Sequence, residues 1–132
     1  MVFELQMVVA TSLILFVLLL AQGALVPLNQ GLGWGLGSRD EPRDKSSFQA
    51  RAARTVANHI EGMCLFVPLA IVVVLTDLSS QLTIWGAGLY VIGRLVFAPL
   101  YLLGVPYLRS LAWGISVIGI LLIAYPAVTA LG

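Results

Sequence analysis

Four long apolar stretches take up almost the whole chain, and they constrain its fold more than any other feature. They lie near residues 5–28, 47–76, 80–103 and 109–130. A helix needs about 20 mainly apolar residues to cross the hydrocarbon core of a bilayer, and each stretch is long enough. Only 10% of the 132 residues are charged, against about 25% in soluble domains. We therefore predict an all-α membrane protein, with residues 1–132 forming one bundle of four transmembrane helices.

Positive charge is concentrated in the first connection and in the helix that follows it. The first connection is rich in glycine and then charged, with three Lys or Arg residues over 39–45, and Arg51 and Arg54 come next. The second connection carries only Asp77, and the third carries Arg109. We expect a multi-pass protein of the cell (inner) membrane. By the positive-inside rule, its first and third loops should lie in the cytoplasm.

A polar stripe opens the second apolar helix. Arg51, Arg54, Asn58 and Glu61 fall on one helical face, and the uncharged run after them, residues 62–76, spans only about 22 Å. Crossing a core of about 30 Å therefore draws part of the stripe into the membrane, where such groups usually mark a site or a pairing. Guanidinium, amide and carboxylate groups suit a small anionic or zwitterionic ligand. The alternative is that they pair between helices and stabilise the bundle.

Arg94 lies deep in the third apolar stretch, where an unpaired arginine is costly. Glu61 is the only carboxylate at comparable depth, so we predict a structural ion pair between Arg94 and Glu61, within or between subunits. Tyr101 is seven residues after Arg94 and close to the same face, level with Arg54 and Asn58. It is either part of the same pocket or a tyrosine at the membrane interface.

The start of the fourth stretch offers one more cation, Arg109, which either anchors to lipid headgroups or stabilises an anion. No metal site is predicted, because His59 lacks nearby Cys or Asp partners and Cys64 is the only cysteine. The net charge of +1 and the lack of a large basic patch argue against nucleic acid as a partner.

The second helix resembles that of the MAPEG superfamily, the membrane-associated proteins in eicosanoid and glutathione metabolism. The resemblance rests on the Arg-x-x-Arg-x-x-x-Asn-x-x-Glu pattern over residues 51–61. The sequence Gly-Leu-Gly-Ser-Arg-Asp over residues 35–40 is similar to the loop sequence of small bacterial-type members. Four spans and a glycine-rich, then charged, first loop extend the resemblance over essentially the whole chain.

The resemblance implies a homotrimer that binds glutathione, as co-substrate, between subunits near the cytoplasmic side. The residues expected to hold glutathione are Arg51, Arg54, Asn58, Glu61 and Tyr101. Arg109 is expected beside the thiol, followed by Ser110, as the catalytic residues, and a nearby guanidinium favours the nucleophilic thiolate. The second substrate would be a lipophilic electrophile or hydroperoxide that arrives through membrane lipid.

Three functions stay open at this point. The first is a glutathione transferase or peroxidase, and the second is a non-catalytic protein that keeps the fold and a ligand. Phe97 stands where some members carry histidine, and Trp113 stands where catalytic members often carry tyrosine. These two differences keep the second function open. The third is a small multidrug transporter. Such a transporter would need a carboxylate inside the first span, but the only one nearby, Glu4, lies at the edge of that span.

Overall fold

A computed structural model describes all 132 residues of the chain, and it contains helices and no strands. Four helices are long and apolar enough to cross a membrane, and a fifth is short. They are α1 (Phe3–Gln30), α2 (Leu32–Leu36), α3 (Ser47–Leu75), α4 (Gln81–Leu102) and α5 (Leu108–Thr129). The predicted fold class, an all-α membrane protein with four long helices, is confirmed. The helix ends fall within two residues of the predicted spans, whereas α2 was missed because two glycines within five residues give no helical signal.

The long helices alternate in direction along the chain. The start of α1 contacts the start of α4, since Ser79 and Thr83 donate hydrogen bonds to Glu4 Oε1, both at 2.6 Å. The start of α3 contacts the end of α4, since Arg51 Nε donates to the carbonyl oxygen of Leu102 at 2.9 Å. The first and third connections therefore lie at one end of the bundle, here called the arginine-rich end.

An aromatic stack and a buried histidine hold α1, α3 and α4 together. The rings of Phe66 and Tyr90 are stacked with centroids 4.1 Å apart, and both side chains are fully buried. His59 is also buried, and its Nε2 lies 2.9 Å from the carbonyl oxygen of Thr11. Because a carbonyl only accepts, Nε2 carries the proton in this contact. His59 thus links α3 to α1, as polar side chains do between membrane helices.

Glycines allow α4 and α5 to approach at backbone distance. A Cβ on Gly119 would lie 2.5 Å from the carbonyl oxygen of Gly86, and a Cβ on Gly93 would lie 2.7 Å from the backbone nitrogen of Ser116. Small residues at such crossings are typical of membrane helix pairs. This close crossing fixes the start of α5, and with it Arg109, against the end of α4.

Candidate functional site

A cleft of about 250 Å³ opens at the arginine-rich end, where α3, α4 and α5 meet. Helix α3 contributes one side chain, α4 contributes two and α5 contributes three. The lining residues are Asn58, Phe97, Tyr101, Arg109, Ser110 and Trp113. Four of the predicted site residues, Asn58, Tyr101, Arg109 and Ser110, are therefore brought together by the fold.

Tyr101 lies between two arginines. Arg54 Nε donates a hydrogen bond to the Tyr101 hydroxyl at 2.9 Å. On the other side, the guanidinium carbon of Arg109 lies 4.8 Å from the centroid of the Tyr101 ring, within cation–π range. Each guanidinium carries five N–H donors, so both retain donors for a ligand. The cleft therefore concentrates positive charge around one phenol, which favours an anionic group.

The turn before α5 sets the position of Arg109. Gly104 has φ +72° and Tyr107 has φ +61°, two left-handed residues in a connection of five residues, 103–107. The left-handed region suits glycine and strains tyrosine. This tight reversal brings the start of α5 back to the end of α4, so that the Arg109 guanidinium reaches the ring of Tyr101.

Arg94 is buried behind the cleft and pairs with Asn58. Its Nη1 donates to Asn58 Oδ1, and its guanidinium carbon lies 5.3 Å from the centroid of the Phe97 ring. Its Nε is buried without a hydrogen-bond partner. Asn58 thus lines the cleft and also accepts a hydrogen bond from the buried Arg94 guanidinium.

The predicted ion pair between Arg94 and Glu61 does not form within one chain. Glu61 is exposed, and the one side-chain hydrogen bond that Arg94 donates goes to Asn58. Arg94 packs against Asn58 and Gly62, and Glu61 lies about 100° around the helix from Gly62, at the outer edge of the polar face. Pairing of Glu61 with Arg94 of another subunit stays a prediction.

Gly62 makes room for the Arg94 guanidinium and was missed by sequence reasoning. A Cβ at this position would lie 2.8 Å from Arg94 Nη2. The available signal was its spacing, since Gly62 follows Asn58 by four residues and therefore shares its face.

The remaining predicted ligands of glutathione lie outside the cleft lining. Arg51 donates from Nε to the carbonyl of Leu102 and so satisfies the end of α4. Arg54 is exposed at the rim, held by Tyr101, and Glu61 faces outward. The roles of these side chains in binding stay predictions.

Aromatic side chains form the other wall of the cleft. The ring centroids of Phe97 and Tyr101 are 5.3 Å apart, and Trp113 is half-exposed on α5. The cleft is therefore cationic on one side and aromatic on the other. Such a site can hold a polar, anionic molecule next to an apolar one.

One comparison with known proteins bears on this geometry. The model of the MAPEG family matches residues 7–129, which include nearly all of the four long helices and every residue of the cleft. The chain belongs to the MAPEG family. No curated protein and no solved structure matches it. At family level, this membership is consistent with a four-helix membrane protein that has a glutathione-related function.

Proposed function

We propose that the protein binds glutathione at the arginine-rich end and joins its thiolate to lipophilic electrophiles. In the peroxidase form of the reaction, two glutathione molecules are oxidised to the disulfide while a lipophilic hydroperoxide is reduced to its alcohol and water. The observation that carries the proposal is the convergence of Asn58, Tyr101, Arg109 and Ser110 on one cleft from three helices. Membership of the MAPEG family supports glutathione as the thiol.

The size of the cleft supports a shared site. At about 250 Å³ it is smaller than most small-molecule pockets, which measure roughly 300–1,000 Å³. A tripeptide would therefore extend beyond it, toward Arg54 at the rim and the outward-facing Glu61. A homotrimer in which a neighbouring subunit covers these residues would complete the site and would also bring Arg51 to its mouth.

The chemistry follows from the charges. Glutathione carboxylates would bind the free N–H donors of Arg54, and the Asn58 amide nitrogen would donate to a peptide carbonyl. Arg109 would lower the pKa of the bound thiol, and Ser110 would donate a hydrogen bond to the sulfur. In conjugation the thiolate sulfur forms a bond to the electrophilic carbon as the leaving group departs with its electron pair. The aromatic wall of Phe97 and Trp113 would hold the apolar substrate.

The membrane topology belongs to the same proposal. The first connection, with its three Lys or Arg residues, and the start of α5, with Arg109, both lie at the arginine-rich end. By the positive-inside rule this end faces the cytoplasm, and the membrane is the cell (inner) membrane. Water-soluble glutathione would then enter from the cytoplasm, and the second substrate would enter from the lipid.

A non-catalytic glutathione-binding protein is the second candidate, and one observation favours it. The Arg109 guanidinium packs against the Tyr101 ring, so a structural role within the protein is enough to account for its position. A transporter has less support, since Glu4 is buried and accepts two hydrogen bonds from hydroxyl groups.

The variant Arg109→Ala separates the enzyme from the binding protein. If the protein is an enzyme, conjugation of a lipophilic aryl halide should fall on the order of 10²-fold, the loss typical when one charge-stabilising donor is removed. Glutathione affinity, measured by equilibrium dialysis, should change little. Lack of activity in the unmodified protein with several electrophiles, together with intact binding, would favour the binding protein.

A further inference from the structure

A second pocket, distinct from the cleft, lies where the first connection folds back over α1 and α3. It encloses about 150 Å³ and shares no residue with the cleft. Two glutamines and a valine come from α1, and Trp34 comes from α2. The lining residues are Gln22, Val26, Gln30, Trp34, Arg39, Arg43, Lys45, Gln49 and Ala53.

The fold separates the basic side chains of the first connection from its acidic side chains. The segment 39–45 contains three basic and three acidic residues and is neutral overall. Its three cations, Arg39, Arg43 and Lys45, line the pocket, whereas none of its carboxylates does. Asp40 instead accepts a hydrogen bond from Ser38 Oγ at 2.8 Å. The result is a hollow with positive charge on its walls and no negative charge within it.

Contacts with the backbone and with one ring hold the two guanidiniums in place. Arg39 Nε donates to the carbonyl oxygen of Gly35 at 2.8 Å, and Arg43 Nη1 donates to that of Gln30 at 2.7 Å. The guanidinium carbons lie 5.9 and 5.5 Å from the centroid of the Trp34 ring. Each of these contacts uses at most one N–H donor of an arginine, so several remain for a ligand.

Amide groups form the part of the pocket that is nearest the bundle. Gln49 is 4% exposed, and its Oε1 accepts from Gln30 Nε2 at 3.3 Å, which leaves the Gln49 amide nitrogen as a donor. Gln22 lies two turns before Gln30, inside the apolar helix. The volume corresponds to about five waters at ~30 Å³ each, which is enough for one tetrahedral oxyanion.

We propose that this pocket binds the phosphate group of a phosphate ester, carried by an anionic phospholipid or by a small soluble molecule. Arginine forks match phosphate oxygens in two-point contacts, and lysine adds a third positive charge. The pocket lies between an apolar helix and a polar loop, where basic pockets bind anionic lipid headgroups. The proposal does not depend on glutathione binding.

The test uses the full-length protein in a neutral detergent, with Trp34 as its single tryptophan after Trp85→Phe and Trp113→Phe. Short-chain phosphatidylglycerol should change the fluorescence saturably, with weaker binding at higher salt. Short-chain phosphatidylcholine, which has the same phosphate but no net charge, should bind more weakly. Inorganic phosphate then identifies the source of the ligand. Competition by millimolar phosphate supports a soluble phosphate ester, and saturable phosphatidylglycerol binding without such competition supports a lipid.

Variants of the cations show whether the pocket is responsible. Lys45 makes no hydrogen bond within the protein, so Lys45→Gln should fold and should weaken binding by about tenfold, the loss expected for one charge-assisted hydrogen bond. Arg39→Gln with Arg43→Gln should weaken it further. The matched control is Glu41→Gln, which changes one charge of the same loop outside the pocket and should leave affinity unchanged or slightly higher. Equal binding of both lipids, or unchanged affinity in Lys45→Gln and in the double variant, would overturn the proposal.

Discussion

Asn58 belongs both to the contacts between the helices and to the lining of the cleft. It lines the cleft, and its side-chain oxygen accepts the hydrogen bond of the buried Arg94. The sequence pointed to Glu61 as the partner of Arg94, because a carboxylate is the obvious partner of a cation in a membrane. Within one chain an amide takes that place, and the carboxylate remains available at the surface.

The first prediction concerns this pair. Asn58→Leu leaves Arg94 buried without its partner and should lower the free energy of unfolding by about 3 kcal/mol, since breaking one side of a buried polar pair is costly. Arg94→Met should cost less, because the charge is removed together with its need for a partner. The double variant should be no less stable than Asn58→Leu alone. Unfolding in mixed detergent measures all three, and additive losses would contradict the assigned pair.

At the scale of the helices, the crossing of α4 and α5 positions the cleft. The ends that carry Tyr101 and Arg109 are joined by a short turn, and Gly86, Gly93 and Gly119 let the two backbones touch. Any side chain at these positions would separate the helices. Arg109 would then move away from Tyr101.

The second prediction tests this crossing. Gly119→Ala places a Cβ 2.5 Å from backbone atoms of α4 and should destabilise the protein by roughly 1–3 kcal/mol, the usual effect of overpacking. Gly114→Ala is the matched control on the same helix, because a Cβ there meets no atom within 4 Å. Thermal unfolding in detergent should separate the two variants. Equal stability would contradict the close crossing.

The helices were predictable from the sequence, whereas their contacts were less so. Apolar length alone located all four long helices, because a bilayer sets the length that a span requires. Helical phase also placed Tyr101 level with Arg54, and the structure shows their hydrogen bond. The Arg94–Asn58 contact depends on the rotation of α3 and α4 about their axes. The position of three cations around Trp34 depends on how the first connection folds back. Neither is encoded in a local pattern of residues.

At the scale of the whole molecule, six of the seven Lys and Arg residues lie toward one end of the bundle, and Arg94 lies inside it. The orientation is a prediction, based on the positive-inside rule. Ser38 and Gln81 lie at opposite ends of the bundle, the first in a basic connection and the second at the start of α4.

The third prediction is the outcome of cysteine labelling in intact cells. In a Cys64→Ser background, Gln81→Cys should react with a membrane-impermeant maleimide added outside. Ser38→Cys should react only after the membrane is permeabilised. The reverse pattern would place the arginine-rich end outside the cytoplasm and would remove the proposed route of glutathione entry.

The proposed function requires the arginine-rich end to bind glutathione and to hold it as a thiolate. The direct measurement is titration of the detergent-purified oligomer with glutathione, followed by thiolate absorbance at neutral pH. The sample must first show three times the 14.1 kDa subunit mass by light scattering. We expect saturable binding, a thiolate signal that disappears in Arg109→Ala, and weaker binding in Arg54→Ala. Lack of saturable binding to the intact trimer would contradict the proposed function, and the cleft would then serve only to pair the helices or to hold another ligand.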